Sequence, residues 1–396
     1  MKLFIVGFII VALIFQRVLK RPWACPSSIY LYWSAFLIIG GLIAYPDYNW
    51  KGEGISWWIF SCVVFSIGIS LVGKSRAISI KFTYPNLFKG ITCERLLWAY
   101  FIIGLFYSVL MLKNNNFSLS SIGGMEDIYA INNYMQSGRY GHDDLHESVI
   151  QQICLSFTYG LPVSVGYLLG KRGFGKIKYI CICCLIPNLL ITSLNNTKAG
   201  VIFAVMLFGI GYLISYQEEH SVAPKLTGRF LRVTLLLVIA FLAVMILAIL
   251  LRYNGDDSRV TFSIISKIFV DYLFGGTLNF DHYFDIFNRP NQTLTFDYLE
   301  DSNIVTANSD WIYVYGYFGA LLVWFFRGII CGIMYNRLKT VKCYPYELTL
   351  LVFYYLNVVY FFIWTPFSYT TVTVGVFLLF PYFVSKYRYE YIINKK

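Results

Sequence analysis

"LLLVIAFLAVMILAILL", residues 235 to 251, is an unbroken apolar run. A membrane-crossing β-strand alternates lipid-facing and lumen-facing side chains, so a continuous run argues against a barrel. It asks instead for an α-helix, the other structure that satisfies every backbone amide within hydrocarbon. About 17 to 25 residues of helix cover roughly 30 Å of hydrocarbon. Comparable runs fall near 3–19, 27–45, 55–73, 95–112, 149–170, 177–193, 199–216, 230–251, 311–335, 346–364 and 369–385. The pattern predicts an all-α, polytopic integral membrane protein with about eleven transmembrane helices. It forms a single transmembrane domain over residues 1–396.

The composition agrees: 58% hydrophobic, 19% aromatic and only 13% charged residues is too little charge for a soluble globule of this size. The net charge of +11 invites a nucleic-acid reading, but the cations sit in alternate short loops. "QRVLKR" (16–21), "KRGFGKIK" (171–178), "NRLKTVK" (336–342) and the C-terminal tail have the bias of loops retained in the cytoplasm. The charge is therefore a topology signal, and no nucleic acid is expected as a partner. This orientation puts the C-terminus inside and the few N-terminal residues outside.

The first apolar run has no A-x-A-like cleavage site and is followed by "QRVLKRP", which predicts a retained anchor. The nine cysteines fall in spans or inner loops, as in a chain that avoids stray disulfides in an oxidising compartment. No metal-ligand spacing appears, so neither a metal nor a cofactor is predicted.

Two outer segments, 113–148 and 252–310, are too long to be turns. They are the expected large outer loops, and function is expected on their face. The first holds "SGRYGHDDLHES" (137–148), with Arg139 and His142. The second holds "RYNGDDSR" (252–259), with Arg252 and Arg259, and "NFDHYFDIFNRP" (279–290), with Asp281, His282 and Arg289. It ends in "NSDWIYVYGYFG" (308–319), which carries Asp310, Trp311, Tyr313 and Tyr315. Within it, 261–275 is amphipathic, with Lys267 and Asp271 four residues apart on one face, and is expected to lie along the interface.

Several of these residues have structural readings as well. Lys198 and Arg252 stand at helix ends, where cations snorkel to headgroups. Trp311, Tyr313 and Tyr315 fit an aromatic belt. Arg327, two turns from the inner end of the ninth span, is within snorkelling reach and reads as structural. "GYLLG" (166–170) and "GIICG" (328–332) are GxxxG patterns for close helix contact.

What sets the outer face apart is cations held there against the positive-inside bias, together with histidines, paired acids and many aromatic rings. Cations beside a bilayer suit a lipid pyrophosphate, and Tyr and Trp faces suit sugar rings. A lipid-linked glycan satisfies both.

Three features make the chain resemble the O-antigen or oligosaccharide repeat-unit polymerases, the Wzy-type family. They are the number of spans, "TSLNNTKAGVIFAVML" (192–207) with its basic residue and Gly before a span, and "NSDWIYVYGYFGALLVWFFRGIICGIMY" (308–335) after the large outer loop. The resemblance implies a metal-independent membrane glycosyltransferase of the C-type fold in the bacterial inner membrane. It would transfer a growing undecaprenyl-pyrophosphate-linked oligosaccharide onto a lipid-linked O-antigen or capsule repeat unit at the periplasmic face. A chain-length regulator protein would be a further partner.

That chemistry needs fixed cations on the departing pyrophosphate. Arg252, Arg259 and Arg289 are the candidates, with Lys198 and Arg139 behind them. At 198 relatives often carry Arg, whose bidentate fork Lys lacks. A base must also take the proton of the attacking hydroxyl: His282 first, then His142, Asp281 and Asp310. Trp311, Tyr313 and Tyr315 would hold sugar. A lipid-linked oligosaccharide flippase and an O-antigen ligase are the alternatives. The flippase needs a polar path between related halves, whereas here the spans are nearly free of charge.

Overall fold

A computed structural model of the chain describes residues 1–72, 93–117, 123–140, 148–195, 198–224, 262–287, 306–340, 343–362 and 370–379, with the isolated positions 239, 243 and 246. Among the described residues there are fourteen helices and no strand. In chain order they are α1 (Lys2–Val18), α2 (Pro26–Ala44), α3 (Glu53–Leu71), α4 (Cys93–Asn114), α5 (Met125–Tyr140), α6 (Val149–Arg172) and α7 (Phe174–Cys183). They continue as α8 (Ile186–Asn195), α9 (Lys198–His220), α10 (Phe262–His282), α11 (Phe284–Phe287), α12 (Ala307–Thr340), α13 (Pro345–Tyr360) and α14 (Thr370–Phe377).

Seven described stretches are long and apolar enough to cross a membrane: Pro26–Ala44, Glu53–Leu71, Cys93–Asn114, Val149–Arg172, Ile177–Leu194, Gly200–His220 and Ala307–Lys339. The chain is thus all-helical over the described residues, with the makings of a polytopic membrane protein. Of the other expected spans, 3–19 and 346–364 correspond to helices of 17 and 16 residues. The opening 235–251 run lies outside the described residues apart from positions 239, 243 and 246.

In hydrocarbon, helices associate through close backbone approach and internal satisfaction of polar groups. Both devices are present. α3 packs on α12 and α6 on α9, each through glycine. A β-carbon added at Gly68 would lie 2.4 Å from the Phe325 carbonyl oxygen, and one at Gly328 2.4 Å from that of Phe65. At Gly166 and Gly211 the corresponding distances, to Phe208 O and Val163 O, are 2.0 and 2.1 Å. The two GxxxG stretches therefore serve the close contacts that their spacing predicts. Pro162, inside α6, cannot donate to the Thr158 carbonyl one turn back. Asn188 of α8 supplies the missing donor, its Nδ2 reaching Thr158 O at 3.2 Å.

The chain reverses between two ends of the bundle. At one lie the finish of α1 and the starts of α2 and α13. Gln217 there accepts from the Tyr335 hydroxyl at 2.8 Å and donates to the Tyr355 hydroxyl at 3.1 Å, and Tyr355 in turn donates to Ala24 O at 2.7 Å. Arg337 pairs with Glu347 at 2.7 Å in a largely buried salt bridge. At the other end lie Met1, the 45–52 turn, the last turn of α10 and the Gly316–Tyr317 stretch of α12. Lys2 Nζ donates to Pro46 O there. Deeper in the bundle the Ala307 amide donates to Phe361 O at 2.7 Å.

The segment 261–275 proves to be part of a longer helix, α10, that continues to His282. It packs on α2 and α3, with Asp271 buried and accepting from the Tyr45 hydroxyl at 2.6 Å.

α12 departs from the single straight span expected over 311–335. Gly316 stands at φ +69 and ψ 174 inside it, a left-handed-side conformation that glycine adopts without a Cβ clash. Trp324 Nε1 donates to Asn308 Oδ1 at 3.0 Å, and the Arg327 guanidinium lies 4.0 Å from the centroid of the Trp311 ring. Each pair is sixteen positions apart, which in a straight helix is roughly 24 Å. Residues 307–315 therefore fold back along 317–340 as a helical hairpin. The 317–340 arm, at 1.5 Å per residue, still measures roughly 36 Å and is long enough to span.

Substituting Gly328→Val should drive a branched side chain into the α3 backbone. The expected cost is about 1–3 kcal/mol or more, read as a lower melting temperature of the detergent-solubilised protein. Gly209→Ala, where nothing lies within 4 Å of the added carbon, should leave melting unchanged or slightly raised.

Candidate functional site

The fold-back and the end of α10 meet at one end of the bundle. Successive helical residues point about 100° apart, so Asp281 and His282 face different surroundings. Asp281 is 0% exposed. Its Oδ2 accepts the Lys51 amide at 2.7 Å and its Oδ1 the Gly52 amide at 2.9 Å. Gly52, at φ +85, is the residue that opens α3, so a carboxylate from far along the chain takes the place of a local N-cap. Burial pushes the Asp281 carboxyl up from its ordinary value, and the amides of Gly52 and Lys51 pull it part of the way back.

His282 lies nearer the rim, half-buried. Its Nδ1 is 3.0 Å from the Tyr48 hydroxyl. Lys51 Nζ donates to the His282 carbonyl at 2.9 Å and stands 3.4 Å from Asp285 Oδ2. Burial first, and the Lys51 charge second, hold the imidazole below its usual value, against the pull of Asp281. Tyr48 is pushed up to about 12 by burial and then by Asp281. At neutral pH the site thus carries an uncharged imidazole beside a protonated phenol. In the tautomer whose Nδ1–H donates to Tyr48, the Nε2 lone pair is available to accept a proton.

Tyr317, one residue past the break, joins this corner to the hairpin. Its hydroxyl donates to Phe284 O at 2.9 Å, its ring stacks on Phe284 at 4.7 Å, and its carbonyl accepts from Trp57 Nε1 at 3.3 Å. On the fold-back, Trp311 and Tyr315 are stacked with centroids 6.0 Å apart, while Tyr313 and Tyr315 are 40% and 52% exposed. Trp311 also stacks on Arg327, whose guanidinium lies 5.6 Å from the Trp324 ring on its own helix. Tyr30 stacks on Trp324 at 4.6 Å, and its hydroxyl donates to Asn308 Oδ1 at 3.4 Å. Trp311 Nε1 and Asn308 Nδ2 are buried donors with no acceptor among the described residues. An N–H group of this kind, on the ring that stacks on a guanidinium, suits an oxygen of an anion.

Asp310 is partly buried and has no hydrogen bond or ion pair among the described residues. Arg139 is in the last turn of α5, and Lys198 is the first residue of α9. His142, Arg252, Arg259 and Arg289 lie outside the described residues. Among the described residues no group of three His, Cys, Asp or Glu side chains could hold a metal ion.

Sequence reasoning missed Tyr48, Lys51, Tyr317 and Arg327. The 45–52 turn is too short for its length to mark it, although "PDYNWKG" (46–52) packs Tyr, Trp and Lys into one reversal. Arg327, expected to snorkel toward the nearer, inner end, lies instead against Trp311 from the opposite end. The available signal was Gly316, set among aromatic residues about three turns ahead of it.

Compared with protein-family models, with curated proteins and with solved structures, the chain matches none.

A histidine held below its unfolded pKa binds its proton less well when folded. Stability is therefore lost as pH falls from about 6.5 through the folded value. His282→Gln removes that linkage, so its melting temperature should fall less than that of the parent between about pH 7.5 and 5.5. Asp281, shifted upward, acts in the opposite direction and is common to both proteins. Equal slopes in the two melting series would mean that His282 is not the group titrating.

Proposed function

We propose that this chain is a membrane glycosyltransferase of the repeat-unit polymerase kind. It moves a growing glycan from its undecaprenyl pyrophosphate carrier onto the non-reducing end of a lipid-linked repeat unit, at the periplasmic face of a bacterial inner membrane. The observation that carries this reading is the hairpin at Gly316, where exposed Tyr313 and Tyr315 continue into the buried Trp311 N–H on the ring that meets Arg327. A glycan joined to a lipid through a pyrophosphate needs ring faces at the rim and a cation at bilayer depth. An ionisable side chain inside a transmembrane helix is, by its cost, a functional candidate first.

In the proposed reaction the acceptor hydroxyl attacks the anomeric carbon of the donor sugar. The new glycosidic bond forms as the bond from that carbon to the pyrophosphate oxygen breaks. The hydroxyl proton passes to His282 Nε2 and from there to water, and the carrier leaves as undecaprenyl pyrophosphate. Tyr48 orients the imidazole through Nδ1, and the Lys51 charge helps to keep it neutral and ready to accept a proton. Asp281 is a positioning residue, because both its oxygens are engaged by the amides that fix the 51–52 turn against α10. Arg327 joins Arg252, Arg259, Arg289, Lys198 and Arg139 as a cation for the leaving group, with the Trp311 N–H beside it. Trp311, Tyr313 and Tyr315 receive the sugar, and Asp310 stays a second carboxylate at the mouth of the hairpin. The carrier-linked oligosaccharide and membrane lipid are the partners, with a chain-length regulator as a further one.

The test is deletion of the gene followed by electrophoresis of the surface polysaccharide. Core carrying a single repeat supports a polymerase, whereas bare core indicates a ligase or a flippase. An unchanged ladder would sink the proposal.

In complementation, His282→Ala should slow chain growth by about 10²–10⁴-fold, the usual worth of a general base. Arg327→Ala should lose about 10²–10³-fold, as when one fixed electrostatic donor is removed. Long chains should give way to short ones in both, with membrane insertion intact. A normal ladder from either variant removes that residue from the site.

A further inference from the structure

At the end of the bundle opposite the hairpin, a cleft of about 860 Å³ opens between the end of α1, the α1–α2 turn, the 221–223 segment after α9 and the last turn of α12. Four cations line it: Arg17, Lys20, Arg21 and Lys339. They come from two regions more than three hundred residues apart. Loop charge that only records topology has no need to converge in this way.

Among the described residues none of the four is paired with a carboxylate. Arg21 Nη2 donates to Ile69 O at 3.3 Å, and Lys339 Nζ lies 4.5 Å from the Tyr335 ring centroid. Arg17 and Lys20 are exposed. Lys20 adopts φ +51, a left-handed conformation that costs a side-chain-bearing residue free energy. The turn that carries it is pinned by Trp23 Nε1 donating to Pro224 O at 3.0 Å, which also fixes the 221–224 wall.

The cleft is amphipathic along its length. Beside the cations it is walled by Ile10, Leu13, Ile14 and Tyr32. Ile10 and Ile14 are one turn apart on α1 and are 51% and 57% exposed. A free phosphate would use the cations and leave this wall bare. A phospholipid uses both, since basic pockets between transmembrane helices at the membrane boundary suit phosphate headgroups.

We propose that this cleft is a binding site for an anionic phospholipid of the adjacent leaflet, its phosphate held among the four cations and an acyl chain laid along α1. This site is separate from the one proposed for glycan transfer, and each can fail without the other.

The experiment titrates the full chain, purified in detergent, with phosphatidylglycerol and counts bound lipid by native mass spectrometry. Arg17→Gln with Lys20→Gln should lower occupancy by roughly tenfold or more. Lys171→Gln with Lys178→Gln, which removes equal charge from another basic loop, should leave occupancy unchanged. Ile14→Trp keeps every charge and fills the apolar wall, so it should also lower occupancy, which guards against misfolding of the double variant. Excess inorganic phosphate should fail to displace the lipid. Equal loss in both double variants would reduce the effect to general surface charge. Displacement by phosphate would make this a soluble-anion site. Either result, or full occupancy in Ile14→Trp, overturns the proposal.

Discussion

Backbone amides at helix starts have no partner within their own helix, and in this bundle several of them find partners on other helices. The Lys51 and Gly52 amides, which open α3, donate to the Asp281 carboxylate at the end of α10. The Ala307 amide, which opens the fold-back, donates to Phe361 O just past α13. In water such termini could be left to solvent, but near hydrocarbon an unsatisfied amide costs several kcal/mol. Mutual satisfaction locks α3, α10, the hairpin and α13 to one another. The imidazole of His282 and the rings of the fold-back inherit that rigidity, which a site built on loops alone would lack.

What was legible in the sequence is what hydropathy and spacing encode. The span 27–45 corresponds to Pro26–Ala44, 95–112 to Cys93–Asn114 and 149–170 to Val149–Arg172, because each apolar run is bounded by polar or charged residues. The GxxxG contacts were legible too, since small residues one turn apart leave a groove on whichever helix carries them. The hairpin was not. Residues 308–335 remain apolar and aromatic through Gly316, so hydropathy passes over the break, and only the φ of one glycine turns the chain back. The role of Asp281 was equally hidden. Its partners are amides some 230 positions away, and backbone donors leave no mark in a sequence. Its neighbour His282 was picked out by residue type, but its companions Tyr48 and Lys51 sit in a turn too short to draw notice.

The two ends of the bundle handle positive charge by different physics. At the end where α1 finishes, Arg17 and Lys20 reach water, and repulsion among them is softened by solvent and salt. At the hairpin end, Arg327 is held within the bundle against Trp311 and Trp324, where an aromatic quadrupole replaces part of the lost hydration. Rings of this kind soften the cost of a buried cation without neutralising it, as a carboxylate would. A ring face leaves the positive charge of the guanidinium in place, so its attraction for an anion is kept. Arg337, on the same helix, meets a carboxylate, Glu347, at 2.7 Å.

That contrast gives the hairpin a physical rationale. A straight span entering at Ala307 would set Trp311 roughly 24 Å from Arg327, and the guanidinium would face hydrocarbon or reach for the far boundary. Side chains on a helix lean toward its N-terminus, so on the 317–340 arm the Arg327 head already points back toward Gly316. Folding 307–315 alongside brings Trp311 to meet it and carries the Trp311 N–H to the same depth. One glycine at positive φ thus turns an aromatic run of the sort that ordinarily anchors a helix at the interface into a lining for a buried cation. Tyr313 and Tyr315 remain outside on the same short arm, so a single rigid element links the rim to the interior.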